Sequence, residues 1–184
     1  YYITDVPYII IKNWGFLATS FLIFIIASLF SFAFTWRDTA NAHYFMPAQM
    51  LQMINLDDKG PENWNHPIMS GYIMTNNIKV SLMCFAFGIT YGIGTLYILV
   101  NNSFLLGSLS AFVMQHGDAL SYWSLILPHG IIELCAIFIS GAAGLKMGYS
   151  LIRPGKYRRR DSLIMAGWDA LKLMGIVIPM LVIA

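Results

Sequence analysis

A few ionisable side chains interrupt the long apolar runs of this sequence, and their types and spacing suit them to chemistry. In the run Pro128 to Glu133, a proline suited to the first turn of a helix precedes His129, and His129 and Glu133 lie four positions apart on one helix face. An ionisable group inside a membrane is costly unless it is paired, so each one is a candidate functional residue. A His–Glu pair in this setting can relay protons, ligate a metal ion or act in acid–base catalysis.

Two further charged residues, Lys79 and Asp118, fall at the same membrane depth as this pair in the spans inferred below. We therefore expect an intramembrane polar cluster made of Lys79, Asp118, His129 and Glu133. Its role is open among hydrogen-bonded contact between helices, handling of protons or ions, and catalysis. A metal site needs a third ligand, and the sequence has no His-Glu-x-x-His arrangement and no nucleophile motif. We therefore predict no catalytic, cofactor-binding or metal-binding residue, no cofactor and no enzymatic activity.

The class of element that positions these residues follows from the composition. Of 184 residues, 58% are hydrophobic and only 11% are charged, against about 25% charged in an ordinary soluble domain. So few charges could not cover a soluble chain of this size, which excludes a soluble enzyme, a nucleic-acid-binding module and a disordered chain. The composition predicts an all-α, polytopic transmembrane helix bundle that forms a single domain over residues 1–184.

Five apolar segments are candidate membrane spans, since about 20 apolar residues are needed to cross ~30 Å of hydrocarbon. They lie at about 14–34, 78–100, 104–120, 125–145 and 163–184. Short basic loops stay in the cytoplasm, which places loop 146–162 inside the cell, the more acidic loop 35–77 outside, and the N-terminus in the cytoplasm. This topology requires the third segment to cross the membrane, and it puts a cytoplasmic turn at Asn101-Asn102-Ser103.

The basic loop has one structural interpretation and two functional ones. Its candidate lipid-facing or partner-facing residues are Arg153, Lys156, Arg158, Arg159 and Arg160. The charges fix the topology by themselves, and they also suit the binding of anionic lipid headgroups or of an acidic partner.

The outer loop contains one short amphipathic segment. Pro47 is followed by Met50, Leu51, Met53 and Ile54. This pattern predicts a helix that starts at the proline and lies on the membrane surface or covers a cavity.

Small residues recur every fourth position along three of the spans. Lipid is as apolar as leucine, so membrane helices associate through close packing of small residues and through polar contacts. The candidate packing residues are Gly88, Gly92, Gly94, Gly107, Ala111, Ser140, Gly144 and Gly148. They predict a tightly packed bundle, within one chain or between copies of it; hinges in a moving transporter are the alternative.

Several short motifs in the second half of the chain resemble the stage II sporulation protein M-like integral membrane family. They are Asn76-Asn77-Ile78, the run Phe87 to Leu96, Asn101-Asn102 with Leu106-Gly107, Pro128 to Glu133, and Gly141 to Gly148. The resemblance covers roughly Asn76 to Ala184 and implies a polytopic bundle found in bacteria and archaea. In spore formers, the namesake protein anchors secreted peptidoglycan-degrading partners during engulfment and is not itself the hydrolase.

Two functional hypotheses follow. The first is a non-enzymatic membrane scaffold or assembly subunit of a cell-envelope complex, which the resemblance implies. The second is a transporter or flippase-like component with a polar site around Lys79, His129 and Glu133. We expect a multi-pass protein of the prokaryotic cytoplasmic (inner) membrane, with the lipid bilayer and other envelope proteins or copies of itself as partners and no nucleic acid. The chain begins without a methionine and stops in an apolar run, so we expect that the natural termini are missing.

Overall fold

The structure is a computed structural model that describes residues 5–48, 50–51, 66–116 and 119–183. The described residues form helices and turns, and none of them lies in a β-strand. The α-helices are α1 (Asp5–Lys12), α2 (Trp14–Arg37), α3 (His66–Ala86), α4 (Ile93–His116), α5 (Ala119–Ile152) and α6 (Arg159–Ile183), and two 3₁₀ helices cover Thr39–Tyr44 and Phe87–Ile89. The predicted all-α transmembrane bundle is confirmed.

Four of the described helices are long and apolar enough to cross a membrane. These segments are Trp14–Arg37, Ile93–Gln115, Gly130–Ile152 and Arg159–Ile183. Helix α3 has 21 residues, which corresponds to about 32 Å, but its polar residues lower its mean hydropathy. The five long helices agree in number with the five spans that the sequence predicts.

The predicted turn at Asn101-Asn102-Ser103 is wrong, because α4 continues through these residues. Asn101 Nδ2 donates to the Tyr97 carbonyl at 2.7 Å and Ser103 Oγ donates to the Leu99 carbonyl at 2.6 Å. These side chains bond back to the preceding helical turn instead of initiating a loop.

The chain instead reverses at Tyr91 and Gly92, whose φ angles are +58° and +78°. Two consecutive residues with positive φ cannot continue a right-handed helix. The predicted span 78–100 is therefore divided between α3 and α4. Its apolar residues continue across the turn, so hydropathy alone does not show the break.

The basic loop is shorter than predicted, because α5 extends to Ile152 and leaves only residues 153–158 between α5 and α6. Pro154 and Gly155 follow the helix end, and Gly155 has a φ of +65°. A glycine in this conformation and a nearby proline are common after a helix end. At its other end α5 begins at Ala119, so Pro128 lies inside the helix and does not open it.

The long helices alternate in direction and pack around α5. Helix α2 packs most extensively on α4, and α5 packs on α6, α3, α2 and α4. The pairs of contacting residues show that α2, α4 and α6 run in one direction and that α3 and α5 run in the other. One end of the bundle holds α1, the Tyr91–Gly92 turn and the loop 153–158; we call it the basic end, and the opposite end the far end.

The segment after α2 folds onto the far end of the bundle. The amides of Met50 and Leu51 both donate to the Pro47 carbonyl, at 2.9 and 3.1 Å, which forms a helical turn. Met50 is fully buried in an apolar cluster with Leu109 and Val113 of α4. The rest of the predicted amphipathic helix lies outside the described residues.

Candidate functional site

Backbone contacts between glycines hold α5 against α3 and the turn that follows it. A Cβ atom built on Gly144 would lie 2.1 Å from the Cys84 carbonyl oxygen, and one on Gly88 would lie 2.6 Å from the Gly144 oxygen. A Cβ on Gly148 would lie 2.3 Å from the Gly92 amide nitrogen. No other residue type fits at such distances, so four of the predicted packing residues lie where two backbones touch.

The other interhelical packing residues face α2 and α6. A Cβ on Gly107 of α4 would lie 2.0 Å from the Ser28 carbonyl oxygen of α2. Ala111, one turn further along α4, is fully buried. Ser140 of α5 is also fully buried, and its hydroxyl lies 3.6 Å from the sulfur of Met174 of α6. Small side chains therefore lie at the crossings of α4 with α2 and of α5 with α6.

Gly94 has a different position from the other predicted packing residues. A Cβ there would lie 2.7 Å from both the Phe87 Cβ and the Thr90 hydroxyl oxygen. The Gly94 amide donates to that hydroxyl at 2.9 Å. Gly94 thus packs within the turn between α3 and α4, not between two long helices.

The first polar cluster, which we call the amide cluster, joins α3, α4 and α5. Asn77 Nδ2 donates to Glu133 Oε2 at 2.6 Å. On the preceding residue, Asn76 Nδ2 donates to Asn102 Oδ1 at 2.9 Å. Glu133 is 4% exposed, and Asn77 and Asn102 are each 8% exposed. A buried carboxylate requires a donor, and the amide of α3 provides it.

The structure brings Asn77, and not Lys79, to Glu133. Lys79 is exposed, and no ion pair among the described residues joins it to Glu133. Residues two apart on a helix are separated by about 200° around its axis, so Asn77 and Lys79 cannot face the same neighbour. Asp118 and the side chain of His129 lie outside what the structure describes, and their places in the predicted cluster stay predictions.

Asn77 is the residue that reasoning from charge alone missed. Charge complementarity points to ionisable partners for Glu133, but a neutral side-chain amide also donates hydrogen bonds to a carboxylate. The signal was present in the sequence, since Asn76-Asn77 is one of the motifs on which the family resemblance rests.

A small cavity of about 50 Å³ adjoins the amide cluster. Tyr72, Asn76, Asn77, Asn102 and Trp123 contribute to its lining. It has room for a few water-sized molecules and not for an organic substrate. The two hydrogen bonds beside it, Asn77 to Glu133 and Asn76 to Asn102, are together suited to fixing the positions of α3, α4 and α5.

The second polar cluster, which we call the lysine–aspartate cluster, lies at the basic end. Lys12 Nζ donates to Asp169 Oδ2 at 2.8 Å, and Lys146 Nζ donates to the same oxygen. Lys146 Nζ also donates to Asn13 Oδ1 at 2.7 Å, and Asn13 Nδ2 donates to the Ile9 carbonyl at 2.7 Å. The Lys146 and Asp169 side chains are 14% and 19% exposed. One carboxylate therefore ties α1, α5 and α6 together.

Lys12 lies in α1, outside the long helices, and is the most exposed member of this cluster, at 47%. The hydrogen bond to Asp169 and the attraction of that carboxylate raise the pKa of Lys12 above its ordinary value of 10.5, against a smaller opposing effect of burial. Lys12 is therefore fully protonated at neutral pH.

The five candidate residues of the basic loop are all exposed at the same end. They are Arg153, Lys156, Arg158, Arg159 and Arg160. The last two form the first turn of α6. The basic end thus combines a largely buried charge cluster with an exposed positive surface.

Comparison with known proteins identifies the family of this chain. The family model described as stage II sporulation protein M matches residues 20–184, which is nearly the whole chain. The chain belongs to the stage II sporulation protein M family. In this member of the family, the motifs that carry the resemblance supply the amide cluster and the glycine contacts of α5.

Two relatives of this stage II sporulation protein M family member are uncharacterized proteins of Methanocaldococcus jannaschii. One is 36% identical over 110 residues, which is 58% of this chain and 61% of the relative. The other is 31% identical over 80 residues, which is 44% of this chain and 34% of the relative. The matched region thus spans less than two thirds of either relative. No solved structure matches the chain significantly.

Proposed function

We propose that this protein is a non-enzymatic integral membrane scaffold, or assembly subunit, of a complex in the envelope of a prokaryotic cell, located in the cytoplasmic membrane. The observation that carries the proposal is that the buried and partly buried carboxyl groups in the described part of the long helices are bonded within the chain. Glu133 is held by Asn77, and Asp169 is held by two lysines. Charges bonded in this way stabilise an architecture and are not free to coordinate a passing solute.

The region between the two polar clusters also supports a static role. Glu133 and Lys146 lie thirteen residues apart on α5, or about 20 Å along the helix axis. Between them, α5 buries Ala136, Ile137 and Ala143 in apolar clusters. In the described part of the bundle, small and apolar side chains therefore separate the two polar clusters.

The glycine contacts restrict relative motion of the helices. Alternating access requires one group of helices to rock or slide against another between two packed arrangements. Here Gly144 and Gly148 bring the backbone of α5 against Cys84 and Gly92, and the Thr95 hydroxyl donates to the Cys84 carbonyl at 2.7 Å. Sliding would break these contacts, which favours a rigid frame for partners over a transporter.

The experiment that tests the proposal compares partner capture with solute movement. The full chain is crosslinked in its native membrane, purified in mild detergent and analysed by mass spectrometry, with a polytopic membrane protein of unrelated fold from the same host as the control. In parallel, the purified chain is reconstituted alone into liposomes for assays of solute flux and lipid scrambling.

We expect envelope proteins in constant ratio to the chain, absent from the control, and liposomes no leakier than protein-free ones. Solute or lipid movement by the chain alone would overturn the scaffold proposal in favour of the transporter or flippase hypothesis. Recovery of the same proteins with the control would contradict specific assembly.

A further inference from the structure

A cationic cavity opens at the basic end, between α1 and α2 on one side and α5 and α6 on the other. Its positive residues are Lys12, Lys146 and Arg153, and the hydroxyl residues Ser150 and Ser162 also line it. Among the lining residues that the structure describes, Asp169 is the one carboxylate, and it is bonded to both lysines. Three cations against one anion give the cavity a net positive charge.

Arg153 is the cation of this cavity with capacity for a ligand. The described ion pairs join Asp169 to the two lysines and do not include Arg153. Its side chain is exposed, and its guanidinium presents donors in a planar fork that matches two oxygens of a phosphate group. The Ser162 hydroxyl adds a neutral donor on the same wall, whereas the Ser150 hydroxyl donates to the Met147 carbonyl at 2.7 Å.

An apolar groove adjoins the cationic cavity. Phe16 and Tyr149 line both spaces, and their rings meet edge to face with centroids 5.6 Å apart. The groove follows α2 from Gly15 to Ile23, a distance of about 12 Å that runs from the basic end toward the middle of the bilayer. A Cβ on Gly15 would meet nothing within 4 Å, so the groove is open along this side.

We propose that the cavity and the groove together bind one anionic phospholipid, with its headgroup phosphate beside Arg153 and one acyl chain along the groove. The depth of the two spaces matches the two parts of a lipid, because the charged cavity lies at the membrane surface and the apolar groove continues into the hydrocarbon layer. A free phosphate ion would use only the cavity and would leave the groove without a role. The inference is independent of the scaffold proposal.

The test uses the purified full chain in detergent and measures lipid retention by native mass spectrometry. Phosphatidylglycerol is the anionic probe, phosphatidylcholine is the zwitterionic comparison, and inorganic phosphate is the competitor. We expect tight retention of phosphatidylglycerol, weaker retention of phosphatidylcholine, and no displacement by millimolar phosphate.

Arg153→Gln and Arg158→Gln form a matched pair, since both remove one exposed positive charge from the same loop and Arg158 does not line the cavity. Loss of a charge-assisted contact to phosphate should weaken phosphatidylglycerol binding about tenfold in Arg153→Gln. Arg158→Gln should change it less than about threefold, which is the scale of one exposed charge. Equal weakening in both variants would overturn the site and indicate diffuse attraction to the basic surface.

The groove is tested by Gly15→Leu, which fills it at a position with space for a side chain. Gly71→Leu is the control, because Gly71 lies in a helix with equally open surroundings and is not part of the groove. We expect weaker phosphatidylglycerol retention only in Gly15→Leu, with thermal melting of both variants near that of the wild type. Undiminished retention in Gly15→Leu, or displacement of the lipid by inorganic phosphate, would overturn the two-part site.

Discussion

At the scale of single residues, neutral amides and glycines determine the interior of this membrane bundle. The Asn77 amide satisfies the Glu133 carboxylate, and Asn76 bonds to Asn102 across the α3–α4 interface. A buried carboxylate that loses its donor retains the cost of leaving water. The amide cluster is therefore a site where one substitution has a large effect.

Asn77→Ala should lower the stability of the bundle by about 1–3 kcal/mol, because it leaves Glu133 buried without its donor. Asn101→Ala is the control, since Asn101 is exposed and bonds only to the Tyr97 carbonyl of its own helix among the described contacts. The measurement is thermal unfolding in detergent, monitored by circular dichroism. Equal melting temperatures of the two variants would contradict the assigned role of Asn77.

Gly144→Ala should destabilise the bundle by about 1–3 kcal/mol, because the added methyl group meets the Cys84 backbone and overpacks the crossing. Gly167→Ala places the same methyl group in a helix with nothing within 4 Å. It should leave stability unchanged or raise it by up to about 1 kcal/mol, since alanine is the better helix former. Chemical unfolding of both variants in the same detergent checks the difference; a Gly144→Ala protein as stable as Gly167→Ala would refute the close contact.

At the scale of elements, α1 is the one described α-helix outside the long spans, and a charged contact holds it to the bundle. Lys12 donates to Asp169 of α6, while the apolar side chain of Ile9 is buried against α5 and α6. Val6 and Ile10 also pack against this apolar cluster. The position of α1 therefore depends on its apolar face and on an ion pair whose lysine is partly exposed.

The attachment of α1 should be insensitive to pH near neutrality and weaken in strong alkali. The pKa of Lys12 is raised by Asp169, so the folded-state pKa exceeds the unfolded value of 10.5. From neutral pH upward, the contribution of the pair is then complete until about pH 10.5 and is lost as the pH rises through the raised pKa.

This dependence is measurable as the distance between spin labels attached through Ile11→Cys and Leu171→Cys, which are exposed positions on α1 and α6. Replacement of the native cysteines leaves only the two labelling positions. As the pH is raised from neutrality, the distance distribution should broaden only above about pH 10.5. Adding Lys12→Gln should broaden it at neutral pH and remove the alkaline step; an alkaline step that persists in this variant would assign the effect to another group.

At the scale of the whole molecule, the alternating directions of the helices place each connection at one of the two ends of the bundle. The Tyr91–Gly92 turn and the basic loop lie at one end, and the segment after α2 lies at the other. If the basic end is cytoplasmic, as short basic loops are, α1 is cytoplasmic as well.

Single cysteines test this arrangement in a chain whose native cysteines are replaced. Tyr91→Cys and Lys156→Cys should react with a membrane-impermeant thiol reagent only from the cytoplasmic side, and His43→Cys only from the opposite side. All three positions are exposed. Labelling of positions 91 and 156 from opposite sides would contradict the shared basic end, and labelling of all three from one side would contradict the crossing of α2.

The composition of the sequence was sufficient to predict the class of fold. Long apolar helices are the simplest way to satisfy backbone groups in hydrocarbon, so 11% charge and repeated apolar segments indicated a helical membrane bundle. The small residues at the helix contacts could also be identified from the sequence, because their spacing follows the helical period. The family was recognisable from its motifs, and the family match supports it.

The tertiary structure decided where the helices break and which side chains meet. The turn at Tyr91–Gly92 depends on backbone angles that hydropathy does not encode. Asn101 and Asn102 remain helical, since Asn101 bonds back to the Tyr97 carbonyl of its own helix and Asn102 bonds to Asn76 of α3. The partners of Glu133 and Asp169 come from distant parts of the chain, at sequence separations of 56 and 157 residues for Asn77 and Lys12. Sequence determined that charges inside the bilayer need partners, and only the packing of the helices determined which partners they have.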